Sequence, residues 1–109
     1  MWESVYTFPW NGGGSAGALL IDSAGNLYGT TVAGGGNPLG KCPSNGCGTI
    51  FQLTPSGSGF SYTQLYAFTG GSDGSAPYSN LVQDTDGNFY GTASTGGADG
   101  YGVIFKFTP

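Results

Sequence analysis

Two cysteines, a short alternation of carboxylates and amides, and a scatter of loop aromatics are the parts of this 109-residue sequence that could do chemistry. Cys42-Pro43-Ser44-Asn45-Gly46-Cys47 holds two thiols close enough for a small disulfide, with Pro43 and Asn45-Gly46 shaping the turn. Two free thiols are the alternative in a reducing compartment. A zinc site would need two further ligands, and the chain has no His. Asp84-Thr85-Asp86-Gly87-Asn88 alternates oxygen donors as the start of a calcium loop does. The similar run Asp22-Ser23-Ala24-Gly25-Asn26 lacks the middle carboxylate, and no bidentate Glu follows either one. Hairpin turns use the same Asp, Gly and Asn, so a turn is the simpler reading.

The five Asp and one Glu also raise glycoside hydrolysis, which needs two carboxyl groups facing each other at a set separation. Nothing in their spacing pairs them, and Asp73 and Asp99, in Gly-Gly loops, are the best placed. Gly12-Gly13-Gly14, Gly34-Gly35-Gly36, Gly70-Gly71 and Gly96-Gly97 lack the following Gly-Lys-Ser/Thr and helix start of a phosphate loop. Tight turns and close packing account for them. Trp10, Asn11, Asn37, Tyr78 and Tyr101 combine aromatic and amide groups without cations. That mixture suits a neutral sugar, with rings to stack and amides to bond hydroxyls. It serves equally well as packing.

The composition removes whole classes of function. With two Lys and no Arg, the chain has no means of neutralising a nucleic-acid backbone. Without His it has neither a Ser-His-Asp nor a Cys-His centre. Its apolar runs fall far short of the roughly 20 residues that span a bilayer, so no membrane insertion is expected. No secretion signal is recognisable in this stretch. Charged residues make up only 7%, yet the 15% aromatic content supplies enough burial to oppose disorder.

The elements that must position these residues come in two copies. Leu19–Thr30 reads LLIDSAGNLYGT and Leu81–Thr92 reads LVQDTDGNFYGT, at an offset of 62. Ile50–Pro55 (IFQLTP) matches Ile104–Pro109 (IFKFTP) at an offset of 54, and Val5–Phe8 (VYTF) matches Leu65–Phe68 (LYAF) at 60. The change of offset marks an insertion in the first copy between Thr31 and Thr49, and it carries both cysteines.

Period-two alternation and Gly-Asn turns predict an all-β chain with strands over 3–8, 18–22, 27–32, 49–54, 61–68, 80–84, 89–93 and 103–108. Phe51 and Leu53 share one face, opposite Ile50 and Gln52; Val103, Phe105 and Phe107 share another, opposite Lys106. Tyr62, Tyr66 and Phe68 are expected on a common face. Four strands per copy at this spacing points to β-propeller blades. A β-sandwich is the alternative, although it requires no sequence repeat.

The ordered motifs Asp-x-x-Gly-Asn-[Leu/Phe]-Tyr-Gly-Thr, a Gly-Gly loop, Ile-Phe-x-[Leu/Phe]-Thr-Pro and [Val/Leu]-Tyr-x-Phe span nearly the whole chain. Together they resemble the GloVer-type tandem repeat of secreted bacterial proteins. The Asp-x-x-Gly-Asn-x-Tyr hairpin also looks like that of NHL-type propeller blades. The resemblance implies a propeller in an extracellular or cell-surface parent protein, and it supplies no activity. It departs from the family in having two repeats, no secretion signal and no anchor, which suggests a fragment or an engineered piece.

By analogy with NHL blades, the strands run d-abcd-abc, with 3–8 as the leading d strand. The single segment 1–109 then contains blade repeats at about 9–68 and 69–109, the second completed by 3–8 of a neighbouring chain. Two four-stranded blades cannot close a ring, since propellers typically need four to eight. A cyclic homo-oligomer is therefore expected, a trimer in preference to a tetramer or dimer. Tyr6 and Phe8 of one chain would pair with the Ile104, Phe105 and Phe107 strand of the next. The Cys42–Cys47 bridge would stiffen an exposed loop between strands b and c.

The expected function is a non-catalytic extracellular scaffold or interaction module that binds no cofactor, metal or nucleic acid. A lectin-like propeller, binding glycan through Trp10, Asn11, Asn37, Tyr78 and Tyr101, is the alternative.

Overall fold

Short β-branched and aromatic runs, broken by Gly-Asn turns, favour strands over helices. The computed structural model describes residues 15–35, 40, 42, 46–57, 59–75, 77, 81–93, 96–97 and 102–109, with side chains from residue 19 onward. Among these, the chain forms seven strands: β1 (Ser15–Ile21), β2 (Leu27–Thr31), β3 (Thr49–Ser56), β4 (Gly59–Ala67), β5 (Val82–Gln83), β6 (Phe89–Ala93) and β7 (Val103–Phe107). The described residues contain no helix. The expected strand over 3–8 lies outside them.

Within each sheet, strands adjacent in sequence pair antiparallel, giving one sheet in the order β1-β2-β3-β4 and a second in the order β5-β6-β7. The boundaries differ from expectation where local chemistry intervenes. The β3–β4 ladder continues to Ser56↔Gly59 because Gly57 turns the chain at a φ of +59°. Among the described residues the β5–β6 ladder holds Val82↔Tyr90 and Gln83↔Phe89, whereas the β1–β2 ladder includes Ser15↔Thr31. Pro77 occupies the position of Ser15 in the second copy, and proline has no N–H to give a ladder.

The first sheet has two distinct faces. Leu20, Tyr28, Ile50 and Tyr66 lie on its front, which packs against the second sheet. Leu19, Phe51, Leu53 and Tyr62 lie on its back, where Phe51 and Leu53 are buried and Tyr62 stacks on Phe51 at 5.7 Å between ring centroids. The common face expected for Tyr62, Tyr66 and Phe68 is therefore corrected. Ile50 pairs with Tyr66 but Phe51 pairs with Gln64, so Leu65 is an extra residue that shifts the alternation. Tyr66 and Phe68 meet edge-on at 5.2 Å on the front, and Tyr62 faces the other way.

The core fills the space between the sheets. Tyr28, Cys47, Ile50 and Phe68 come from the first copy, and Leu81 and Phe89 from the second. Phe105 and Phe107 close over the cluster. Phe68 meets Phe105 at 5.2 Å and Tyr66 meets Phe107 at 5.9 Å. Thr30, fully buried, donates its hydroxyl to the Pro77 carbonyl at 3.0 Å and so ties the sheets together.

Candidate functional site

The repeated Asp-x-x-Gly-Asn-x-Tyr motif builds the same carboxylate cage twice. Asp22 Oδ1 accepts the Ala24 and Asn26 amides, both at 2.9 Å. Its Oδ2 accepts Asn26 Nδ2 and the Tyr28 hydroxyl, also at 2.9 Å. Asp84 repeats the pattern with Asp86, Asn88 and Tyr90 at 2.8–3.2 Å. Hydrogen bonds from Asn26, then Tyr28 and Ala24, outweigh desolvation and hold Asp22 at a pKa of about 2. The Asn88 backbone, then the Tyr90 hydroxyl, hold Asp84 at about 2 as well. Both carboxylates are committed to their turns, so the turn explanation accounts for residues that could have started a calcium loop.

Asp73 has a comparable role after β4. Its Oδ2 accepts the Tyr66 hydroxyl at 2.6 Å and the Thr69 amide at 3.0 Å, while Oδ1 accepts the Thr69 hydroxyl at 2.6 Å. Burial raises the Asp73 pKa, but the Thr69 and Tyr66 donors prevail and hold it below the usual carboxylate range. Burial, followed by the bond to Asp73, pushes Tyr66 up to about 12. Asp99 lies outside the described residues.

Tyr66 and Asp73 line a groove of about 360 Å³ that runs along β7, with Phe68, Phe105 and Phe107 among its other walls. Its lining mixes these aromatic rings with the aliphatic Ile50, Val103 and Ile104 and the polar Ser72, Asp73 and Lys106. Among the described residues β7 pairs only with β6, whereas its counterpart β3 pairs with both β2 and β4. The groove thus follows the side of β7 where a fourth strand would lie.

The disulfide joins Cys42 and Cys47, with Cα atoms 5.1 Å apart. One end of the bridge is anchored in the protein interior. Cys47 is 2% exposed and belongs to the core beside Ile50 and Phe68, and Cys42 Sγ lies 3.7 Å from the Phe68 carbonyl oxygen. Around the insertion, both copies keep one loop closure. Gly48 donates to the Gly34 carbonyl at 3.2 Å, and Gly102 to the Gly96 carbonyl at 2.9 Å. The Gly-Gly pairs at these closures have φ values between +82° and +91°. A Cβ on Gly35 would sit 3.1 Å from Thr49 Cγ2, and one on Gly97 2.7 Å from Val103 Cγ1.

Ile104 is 85% exposed, on the face of the second sheet turned away from the first. Phe105 and Phe107 point inward and are used within the chain. Tyr6, Phe8, Trp10, Asn11, Asn37, Tyr78 and Tyr101 lie outside the described residues. Sequence reading missed the groove formed by Tyr66, Asp73 and Phe107, because it depends on the Leu65 bulge and on packing between sheets. It also missed the exposure of Val82, because the repeat points the other way: Val82 corresponds to the partly buried Leu20.

No curated protein and no solved structure matches the chain. A family model described as the Gloeobacter/Verrucomicrobia repeat matches residues 1–109, a span that contains both Asp cages, both Gly-Gly closures and both Ile-Phe strands. The chain belongs to the Gloeobacter/Verrucomicrobia repeat family.

Proposed function

We propose that the chain is a non-catalytic, extracellular β-propeller segment that assembles with copies of itself into a closed ring and serves as a scaffold or interaction surface. The observation that carries this reading is the way the two copies stack. The front of the first sheet packs on the surface of the second that corresponds to the first sheet's own back. Front-to-back stacking can continue from unit to unit, and it closes a ring when the rotation per unit allows. The three-stranded second sheet, with its groove along β7, fits completion by residues 3–8 of a neighbour, carrying Tyr6 and Phe8.

The disulfide favours an oxidising, extracellular setting. The non-catalytic part of the reading rests on the carboxylates. Asp22 and Asp84, held at about 2, are poorly matched to general acid catalysis near neutral pH. A lectin-like role has one supporting observation, the rings of Tyr66, Phe68, Phe105 and Phe107 in the groove, but the Asp73 oxygens there already accept protein donors.

Native mass spectrometry tests the ring. A discrete multiple of 11.0 kDa is expected, with three copies favoured, and deleting Met1–Phe8 should disperse it. A well-folded monomer would overturn the ring. Glycan-array binding at neutral pH would replace the scaffold reading with the lectin.

A further inference from the structure

The exposed face of the second sheet carries residues whose counterparts are buried in the first copy. Ile104 is 85% exposed, while its counterpart Ile50 is 1% exposed. Val82 is 60% exposed, and its counterpart Leu20 packs against the core cluster. Tyr90 is half-buried, and its counterpart Tyr28 is buried against Phe89. The same sequence positions are thus covered in one copy and open in the other. Thr92, opposite Ile104, and Lys106, whose ammonium lies 5.9 Å from the Tyr90 ring centroid, share this face, and large apolar side chains left exposed on one sheet face mark interaction surfaces.

The chain also carries a surface of the type that covers this face. Ile50 lies in one cluster with Leu81 and Phe89, whose counterparts are Leu19 and Leu27 on the back of the first sheet. Phe51 and Leu53 on that back are already buried, but Leu19 is 50% and Ile21 65% exposed. The available part of the back is therefore at β1, beside the position that Leu81 occupies in the second copy.

We propose that the Val82–Tyr90–Ile104 face is a docking surface for the Leu19–Ile21 surface of a second copy of this chain, front against back. Ile104 of one copy then takes the place beside Leu19 of the next that Ile50 takes beside Leu81 within the chain. The contact is heterologous: the two surfaces differ, so each copy offers one and accepts the other. This inference rests on the ring reading and adds the faces that meet, separately from strand pairing along β7.

Two measurements test it. Chains bearing Ile104→Cys and chains bearing Leu19→Cys are mixed and oxidised, with the native Cys42–Cys47 bridge left in place. A cross-link that forms in the mixture, and in neither chain alone, is expected. Self-linking of the Ile104→Cys chain would overturn the proposal in favour of front-to-front pairing. Absence of the mixed cross-link in a preparation that retains a discrete oligomeric mass would overturn it while leaving the ring intact. Separately, Ile104→Asp should shift the solution mass to 11.0 kDa with an unchanged far-ultraviolet circular dichroism spectrum. An assembly that survives this substitution overturns the docking face, and a monomeric unmodified chain overturns both readings.

Discussion

Tyr28 packs on Phe89 with ring centroids 4.7 Å apart, and the counterpart of Phe89 in the first copy is Leu27, the residue next to Tyr28. Neighbours on a strand point to opposite faces. The contact therefore joins the front of one copy to the back of the other. Two copies packed by like faces would instead bring Tyr28 towards Tyr90. Unlike faces therefore meet, and the back of the first sheet and the outer face of the second are the surfaces that this contact does not use.

Phe89 is 1% exposed between the sheets, and truncating a buried Phe to Ala typically costs about 3–5 kcal/mol. That is comparable with the whole stability of a small domain. Phe89→Ala should therefore lose cooperative thermal unfolding, whereas Ile104→Ala should retain a folded circular dichroism spectrum. Equal effects from the two substitutions would contradict the assignment of faces.

Acid sensitivity follows from the two carboxylate cages. Asp22 and Asp84 titrate at about 2 in the folded chain, against 3.8 for an ordinary Asp. Because their folded values are depressed, the stability they contribute is complete above the unfolded value. It is lost as pH falls from 3.8 towards about 2. The melting temperature should fall across that interval, and the double variant Asp22→Asn, Asp84→Asn should melt lower at pH 7 with a flatter acid limb. A wild-type melting temperature constant over the interval would count against the cages.

Reducing the disulfide should cost more than the loosening of a surface loop. Closing so short a loop is worth about 2 kcal/mol on the chain-entropy model. Cys47 also sits in the core, so Cys47→Ser buries a hydroxyl beside Ile50 and Phe68. Denaturant titration should place the oxidised chain highest, then Cys42→Ser, with Cys47→Ser lowest. If the two serine variants proved equally stable, the buried position of Cys47 would carry no energetic weight.

The Gly-Gly closures predict matched losses in the two copies. Gly35 and Gly97 combine positive φ with a Cβ position too close to the strand that follows each loop. Gly35→Ala and Gly97→Ala should each destabilise by about 1 kcal/mol or more. Thermal unfolding of the two variants checks this, and a stabilised variant would show that the loop takes another path.

The Asp turns, the Gly-Gly loops and most strand positions were legible in the sequence because they depend on local chemistry. Asp22 and Asp84 lie within six residues of every donor in their cages. The cysteine pair was legible for the same reason. The face reached by Tyr62 was not, because a single bulged residue, Leu65, reverses a period-two pattern without altering composition.

Two copies of an all-β unit can be read from the chain directly, since the motifs repeat and turn chemistry acts over a few residues. The meeting of Tyr28 with Phe89, the entry of Cys47 into the core, and the exposure of Ile104 where Ile50 is buried emerge only in the folded chain. These depend on which sheet face lies against which. Alternation along a strand says that two faces exist, but their pairing is set by side chains distant in sequence, packed together to exclude water.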